Sequence, residues 1–377
     1  MKSYEICFDA RMLFSGGIGT YIRNILPGLK EGVSRLRVIV HPNVLKTEGW
    51  LEAYDLILSS ASIYSVQEQV ELFLRIPKVD LFFSPHYNIP LLPIKAARRI
   101  VTIHDVFHLA YSANLRWHER LYAKYVMQKA VDKSDLIITD SQFSFDEICK
   151  YTKRAKDKIR LVHCGVDRQL YKREKSELRI QKTIEKFSLP SRYFLFVGNL
   201  KLHKNLTTLL LAIRELPSDI KLIVIGKSEG MKHIDGGDVI YQQHPDLHGR
   251  VIWLSSLSNQ DLPVFYQLAQ GLVFPSYYEG FGLPPLEAMS CGCPVIASNA
   301  ASLPEVCGAA ALYVFPGSPK EIGLAMKRVL SDLEFRQRLI EAGYENVSKF
   351  NWKSAVAAHI NLLQEVLCTQ VNSKFGR

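Results

Sequence analysis

Pro275-Ser276-Tyr277-Tyr278-Glu279-Gly280-Phe281-Gly282-Leu283-Pro284-Pro285-Leu286-Glu287-Ala288-Met289 is the stretch that decides how this chain is read. It follows the apolar run Leu272–Pro275 and opens a helical period, Pro284–Cys291. Gly280 and Gly282 let the backbone turn tightly and come close to a ligand. Pro284 suits a first helical turn, where no N–H is needed. The N–H groups of Phe281, Gly282 and Leu283 are then expected to point at an anion, helped by the helix dipole, and a pyrophosphate fits there. Glu279 lies before the turn and Glu287 about one turn into the helix. A carboxylate only accepts hydrogen bonds and pairs well with vicinal hydroxyls. One of the two acids can therefore reach a sugar while the other binds ribose hydroxyls. The plainer alternative is a strand–turn–helix corner carrying surface acids.

Outward from this block, short apolar runs alternate with amphipathic stretches. Strands are expected at Tyr4–Ala10, Leu36–His41, Leu81–Ser84, Ile100–His104, Leu136–Ser141 and Ile159–Cys164. The helical periods between them include Thr20–Lys30, Leu115–Lys133 and Phe143–Thr152. The polar, basic segment Asp167–Pro190 breaks the pattern and reads as a linker. The alternation then restarts with strands at Tyr193–Gly198, Lys221–Gly226, Val251–Leu254, Leu272–Pro275, Pro294–Ser298 and Leu312–Phe315. Ser258 is expected to cap a helix Asn259–Ala269. Strand–helix alternation implies parallel sheets covered by helices on both faces. The fold class is thus α/β, with two Rossmann-like doubly wound domains facing across a cleft. Their expected bounds are 1–170 and 171–351, with a C-terminal helix 352–377 packing back on the first. Ligands of such sheets sit beyond the carboxyl ends of the strands.

Three further strand ends carry candidate chemistry. Phe196-Val197-Gly198-Asn199-Leu200-Lys201-Leu202-His203-Lys204-Asn205 ends a strand and starts a helix, which positions Lys204 to offset diphosphate charge. Gly16-Gly17-Ile18-Gly19 lies between the first strand and Thr20, and a glycine turn there can admit phosphate or an acceptor. As a bare tight turn it would be unremarkable. His104-Asp105 ends another strand; a lone His there would ordinarily be a core residue with a satisfied hydrogen bond. His86 and Tyr87, in Ser84-Pro85-His86-Tyr87-Asn88, face the same cleft as candidates for acceptor contact.

The spacing Glu279-x7-Glu287 resembles the Glu-x7-Glu motif of the retaining family 4 glycosyltransferases, which have the GT-B fold. Ser290-Cys291-Gly292-Cys293-Pro294-Val295-Ile296-Ala297-Ser298, Ser302-Leu303-Pro304-Glu305-Val306, Gly16-Gly17-Ile18-Gly19 and Thr102-Ile103-His104-Asp105 continue the likeness over most of the chain. The resemblance implies a transfer of hexose from a nucleoside-diphosphate sugar with retention of configuration. It gives Glu279 a sugar-binding role, brings His104 to the donor sugar, where imidazole can bond a hydroxyl, and makes Gly17 part of the site. Asp105 would orient His104 or merely begin the loop. In the family Lys204 partners an arginine just after the strand glycine; here that place holds Asn199, and Lys201 is the nearest substitute. Lysine lacks the planar fork of arginine. Catalytic roles thus fall to Glu279, His104 and Lys204. Donor contacts fall to Lys204, Asn199, Lys201, Gly17, Phe281, Gly282, Leu283 and Glu287. His104-Asp105-Val106-Phe107-His108-Leu109 and Gly198-Asn199-Leu200-Lys201 are most similar to the mannosyltransferase-like branch of bacterial surface-polysaccharide synthesis. That favours GDP-mannose, or another nucleoside-diphosphate hexose, as donor. The acceptor is a saccharide or lipid-linked saccharide.

No Asp-x-Asp triplet lies at a strand end, so neither a metal nor a cofactor is expected; a helix N-terminus and Lys204 supply the charge stabilisation. The formal charge is +10, and Lys150–Lys186 alone holds thirteen Lys/Arg against five Asp/Glu, a net +8. Such a stretch faces anionic lipid, nucleic acid or polyanionic substrate, or is an ordinary solvated surface. No nucleic-acid motif accompanies it, and no nucleic-acid partner is expected. Arg116, Arg120 and Lys124 repeat every four residues beside Trp117, Leu121 and Tyr125. This helix is either a peripheral seat on an anionic membrane or a core-facing helix with a solvated basic side. The seven cysteines form no Cys-x-x-Cys pair, and no signal peptide is read at Met1. A cytoplasmic protein, with peripheral contact at the inner membrane face, is the expectation. Two rival readings are a sugar-nucleotide epimerase of the same fold, which would not be expected to carry Glu279-x7-Glu287, and a non-catalytic basic protein binding membrane or nucleic acid, which leaves the strand-end motifs unexplained.

Overall fold

The computed structural model describes residues 4–112, 116–153, 155–226, 243–255 and 257–368. Leu115, Arg154 and the end of the expected helix 352–377 beyond residue 368 lie outside them. The chain divides into two units, one running to Cys164 and resuming at Trp352, the other Gly165–Asn351. The division falls at residue 165, six positions before the expected one.

Among the described residues the first unit holds seven strands: β1 (Glu5–Asp9), β2 (Arg35–Val40), β3 (Asp55–Leu58), β4 (Val79–Ser84), β5 (Ala96–Thr102), β6 (Leu136–Thr139) and β7 (Ile159–Leu161). They lie in the order β3-β2-β1-β4-β5-β6-β7, every pair parallel. The central strands are apolar on both faces because helices cover both. β3 was not expected. It is an edge strand, only partly buried, so its residues never needed a continuous apolar run. The glycines at 16–19 sit inside the first turn of helix Gly16–Leu29 rather than in a loop before it. Gly19 is required there, since a Cβ would lie 2.1 Å from the Leu13 carbonyl oxygen. Helix Trp352–Cys368 lies against this helix: Tyr21 Oη is 2.6 Å from His359 Nε2. The approach is close enough that a Cβ on Gly28 would meet Val356 Cγ1 at 2.3 Å.

The second unit holds β8 (Tyr193–Val197), β9 (Lys221–Ile225), β10 (Val251–Leu254), β11 (Gly271–Phe274), β12 (Val295–Ser298) and β13 (Ala311–Val314). Their order is β10-β9-β8-β11-β12-β13, again parallel throughout. Phe194, Phe196, Leu222, Val224, Val273 and Ile296 fill the core with Leu209 and Met326 of the covering helices. Each such side chain stabilises by about 1.5–3 kcal/mol relative to exposure. The expected linker is not one. Glu177–Phe187 is a helix capped by Ser176 and docked within this unit, with Lys186 2.8 Å from Asp261 and the Phe187 ring 5.1 Å from Phe265. Its polar composition reflects an outer helix with one docked edge. The helix expected from Asn259 begins at Leu262; Ser258 Oγ accepts from Asp261 N–H and caps the turn before it.

Candidate active site

In the second sheet the chain moves outward from β8 through β9 to β10, then returns to place β11 beside β8. The loops after β8 and β11 therefore leave in opposite directions, which opens a crevice at their carboxyl ends. Lys204 comes from the first loop and Glu279 from the second. The ammonium lies 2.6 and 2.7 Å from the two carboxylate oxygens, with both side chains largely buried. Asn205 fixes the lysine's backbone. It adopts a left-handed conformation (φ 59°), and its buried amide donates to the carbonyls of Pro275 at 3.0 Å and Pro316 at 2.6 Å. Ser302 fixes the other loop, its hydroxyl lying 2.9 Å from the Glu279 carbonyl and 2.7 Å from that of Phe281. Gly226 is needed at the end of β9, since a Cβ would lie 2.0 Å from the Gly198 carbonyl oxygen.

Helix Leu283–Ser290 starts just after Gly282, whose φ of 122° favours glycine and whose missing Cβ would press on Leu303 at 2.9 Å. Phe281, Gly282 and Leu283 thus form the helix entrance beside Glu279. Glu287 is buried on that helix; Tyr266 Oη donates to it at 3.0 Å and Tyr171 also hydrogen-bonds to it. Burial pushes its carboxyl up to about 7, with the two tyrosines pulling the other way. The corner is therefore not one with surface acids. Asn199 and Lys201 are exposed on the loop after β8, where the Lys201 carbonyl accepts from Lys204 N–H at 2.9 Å.

In the first unit, His104 follows β5. Its Nδ1 lies 2.5 Å from Asp140 and its Nε2 3.0 Å from the Pro85 carbonyl. Burial works against the charged ring, but Asp140 dominates and raises its pKa above the usual value. The orienting acid is Asp140. Asp105 begins the loop, accepting from Phe107 N–H at 2.9 Å. Both ring nitrogens are engaged, so a sugar hydroxyl would have to displace the Pro85 carbonyl. Gly17 is exposed in the first helical turn. A buried ionic cluster lies at the ends of β1 and β4. Arg11 binds Asp9 at 2.7 Å and Glu68 at 2.8 Å, and Asn88 donates to Glu68 at 2.8 Å.

Two family patterns match this chain in tandem: the one described as Glycosyltransferase Family 4 over residues 15–170, and Glycosyl transferases group 1 over residues 179–346. The chain belongs to the family 4 glycosyltransferases. This glycosyltransferase is 29% identical to the O-antigen chain mannosyltransferase B of Escherichia coli over 297 residues, covering 76% of this chain and 75% of that one. It is 30% identical to the serotype-specific mannosyltransferase WbdA of Escherichia coli over 244 residues, 63% of this chain. It spans only 30% of that longer protein. Among solved structures, sucrose-phosphate synthase from Thermosynechococcus elongatus superposes with a TM-score of 0.79 at 21% identity, covering 97% of this chain and 100% of that one. Anabaena HepE in complex with UDP and glucose gives 0.78 at 19%, covering 96% and 100%. These likenesses establish the GT-B fold.

Several residues that hold the candidate side chains in place within each unit of the glycosyltransferase carry no mark of that role in the sequence. Asn205 is only the residue after Lys204 in the sequence, whereas its amide is buried and ties two loops. Asp140 stood in an apolar run with nothing to link it to His104, 36 positions away. Tyr171 fell in the supposed linker. Only the left-handed propensity of Asn next to a helix start could have pointed to the first of these.

Proposed function

We propose that this glycosyltransferase moves a hexose, with mannose favoured, from GDP-mannose or another nucleoside-diphosphate hexose to a saccharide or lipid-linked saccharide, retaining the anomeric configuration. The observation that carries the reading is the Lys204–Glu279 pair at the crevice between β8 and β11. On this reading the diphosphate arrives beside Lys204 and the N–H groups at Phe281–Leu283, with Lys201 supplying the second cation in place of Asn199. Glu279 then exchanges part of its lysine contact for sugar hydroxyls, and Glu287, buried under Tyr266 and Tyr171, has to give up one of these tyrosines to meet the ribose. A double displacement would need a carboxylate beneath the anomeric carbon. Glu279 is committed to binding, so the reaction runs by front-face attack through an oxocarbenium-like state, with the leaving phosphate taking the acceptor's proton. The protein contributes by positioning the reactants and stabilising developing charge. The mannosyltransferase relatives support the choice of sugar.

No helix among the described residues is long and apolar enough to cross a membrane. Peripheral attachment to an anionic membrane is supported by helix Trp117–Lys133. It buries Ala123, Val126, Met127, Ala130 and Val131, and leaves Trp117, Leu121 and Tyr125 exposed, Trp117 by 75%. That apolar row is therefore not core-facing. The basic stretch Lys150–Lys186 is a weaker seat: Lys150, Arg160, Arg179 and Lys186 are ion-paired, and the stretch crosses the division at residue 165. Thermal shift with GDP-mannose, GDP-glucose, UDP-glucose and UDP-galactose tests the donor. At one hundred times Kd the true donor stabilises by roughly 2.7 kcal/mol. Transfer is expected to persist in excess chelator. Loss restored by magnesium or manganese, or a shift with none of the four, would overturn the reading.

A further inference from the structure

Tyr64, between β3 and helix Val66–Arg75, holds a left-handed backbone (φ 69°) that a tyrosine rarely adopts. Its N–H is tied to the buried carboxylate of Glu68 at 2.6 Å, yet the residue is 45% exposed. The backbone is thus constrained in order to present a ring outward. Tyr87, after β4, faces it: the two ring centroids are 6.3 Å apart and tilted by 37°. His86 backs Tyr87 at 4.2 Å, and His108 continues the row 6.0 Å beyond it.

The hydrogen bonds of this group run in one direction. Asn88 N–H donates to His86 Nδ1 at 3.2 Å, so the ring nitrogen at that position carries no proton. Burial keeps the imidazole neutral, pushing its pKa down to about 3. Its single proton is therefore on Nε2, which donates to Tyr64 Oη at 3.2 Å. Tyr64 in turn donates to Tyr87 Oη at 3.4 Å. Each hydroxyl has one proton to give. The relay leaves the Tyr87 proton without an acceptor among the described residues, on a partly buried ring beside the half-exposed Tyr64.

The surroundings decide what fits. Asp9 and Glu68 outweigh Arg11 by one negative charge, and Asp105 adds to the field felt by Tyr64 and Tyr87. An anion is repelled there. A neutral ring with one apolar C–H face and oxygen acceptors at its rim matches both the tyrosine faces and the lone donor. We propose that Tyr64, His86 and Tyr87 form a subsite for an uncharged pyranose, with Tyr87 giving the recognition hydrogen bond. That this pyranose is the acceptor's sugar rests on the transferase reading above; the subsite itself does not.

Saturation-transfer NMR on the full chain, with methyl α-mannopyranoside and methyl β-glucopyranoside as probes, tests it. Ring C–H protons of at least one probe are expected to saturate, and inorganic phosphate is expected not to displace it. Tyr87→Phe keeps the ring and should weaken the probe about 3- to 10-fold, the worth of one hydrogen bond. Tyr64→Leu should abolish saturation. Circular dichroism of both variants reports the fold. No saturation with either probe, undiminished saturation in Tyr87→Phe, or displacement by phosphate overturns the subsite. Sugar-nucleotide thermal shift is read in parallel on the same samples. Failure there with pyranose binding intact removes the transferase reading and leaves the subsite standing.

Discussion

Lys204 and Glu279, 75 positions apart in sequence, meet in a two-point ion pair at 2.6 and 2.7 Å, where the loops after β8 and β11 diverge. Each partner is held by a polar residue nearby: Asn205 on the lysine side and Ser302 on the glutamate side. The pair is therefore poised rather than accidental. A ligand diphosphate can compete for the ammonium while a sugar competes for the carboxylate.

Removing either charge is expected to cut transfer by orders of magnitude, since a charged transition-state contact is typically worth a few kcal/mol. Lys204→Ala and Glu279→Ala should both keep the circular dichroism of the parent. Each single change also leaves a partly buried charge alone, so the double variant should lose less stability than the sum of the two. Near-normal turnover in either single variant removes that residue from the site.

Glu287 makes stability depend on pH. Burial raises its pKa from the usual 4.5 to about 7. The folded state then binds more protons than the unfolded state between those values, and stability falls as pH rises through that window. The loss at pH 8 is on the order of 3 kcal/mol. Glu287→Gln should be matched to the parent in Tm near pH 5 and more stable than it at pH 8. Parallel Tm profiles for the two proteins would contradict the buried, neutral-favouring environment.

His104 should titrate above an ordinary histidine, because Asp140 outweighs the burial that opposes its charge. A raised pKa stabilises the fold below the unfolded value, and that gain is lost as pH rises through the folded one. Asp140→Asn leaves the burial and deletes the main partner, so the ring should then titrate lower than in the parent. Histidine proton NMR across pH 5–9 checks both. An unshifted ring in Asp140→Asn would show that the pair does not govern it.

Helix Trp117–Lys133 should seat the protein on anionic vesicles at low salt and release it as salt rises, since basic residues near such a surface contribute about 1 kcal/mol each and are screened. Trp117→Ala and Leu121→Ser are expected to weaken sedimentation with vesicles of rising anionic lipid content while leaving binding of sugar nucleotide intact. Absence of binding to anionic vesicles at low salt leaves the exposed row without a lipid partner.

The parallel sheets and the nature of the helix entrance at Gly282 were determined by sequence alone. Buried parallel strands demand continuous apolar runs, and a positive φ at a ligand-facing turn demands glycine, so both leave local marks. Glu279 and Lys204 were legible for the same reason, each standing beside such a strand end. Partnerships were decided only by tertiary structure. The strand order placed Lys204 against Glu279, set Asp140 rather than Asp105 on His104, and buried Glu287 under two tyrosines. A polar side chain carries no sequence record of which distant group satisfies it. That match is set by the fold, through the requirement that a buried polar atom find a partner. β3 and helix Glu177–Phe187 were misread for a different reason: they are peripheral elements whose partial exposure relaxes the apolar pattern that sequence reading depends on.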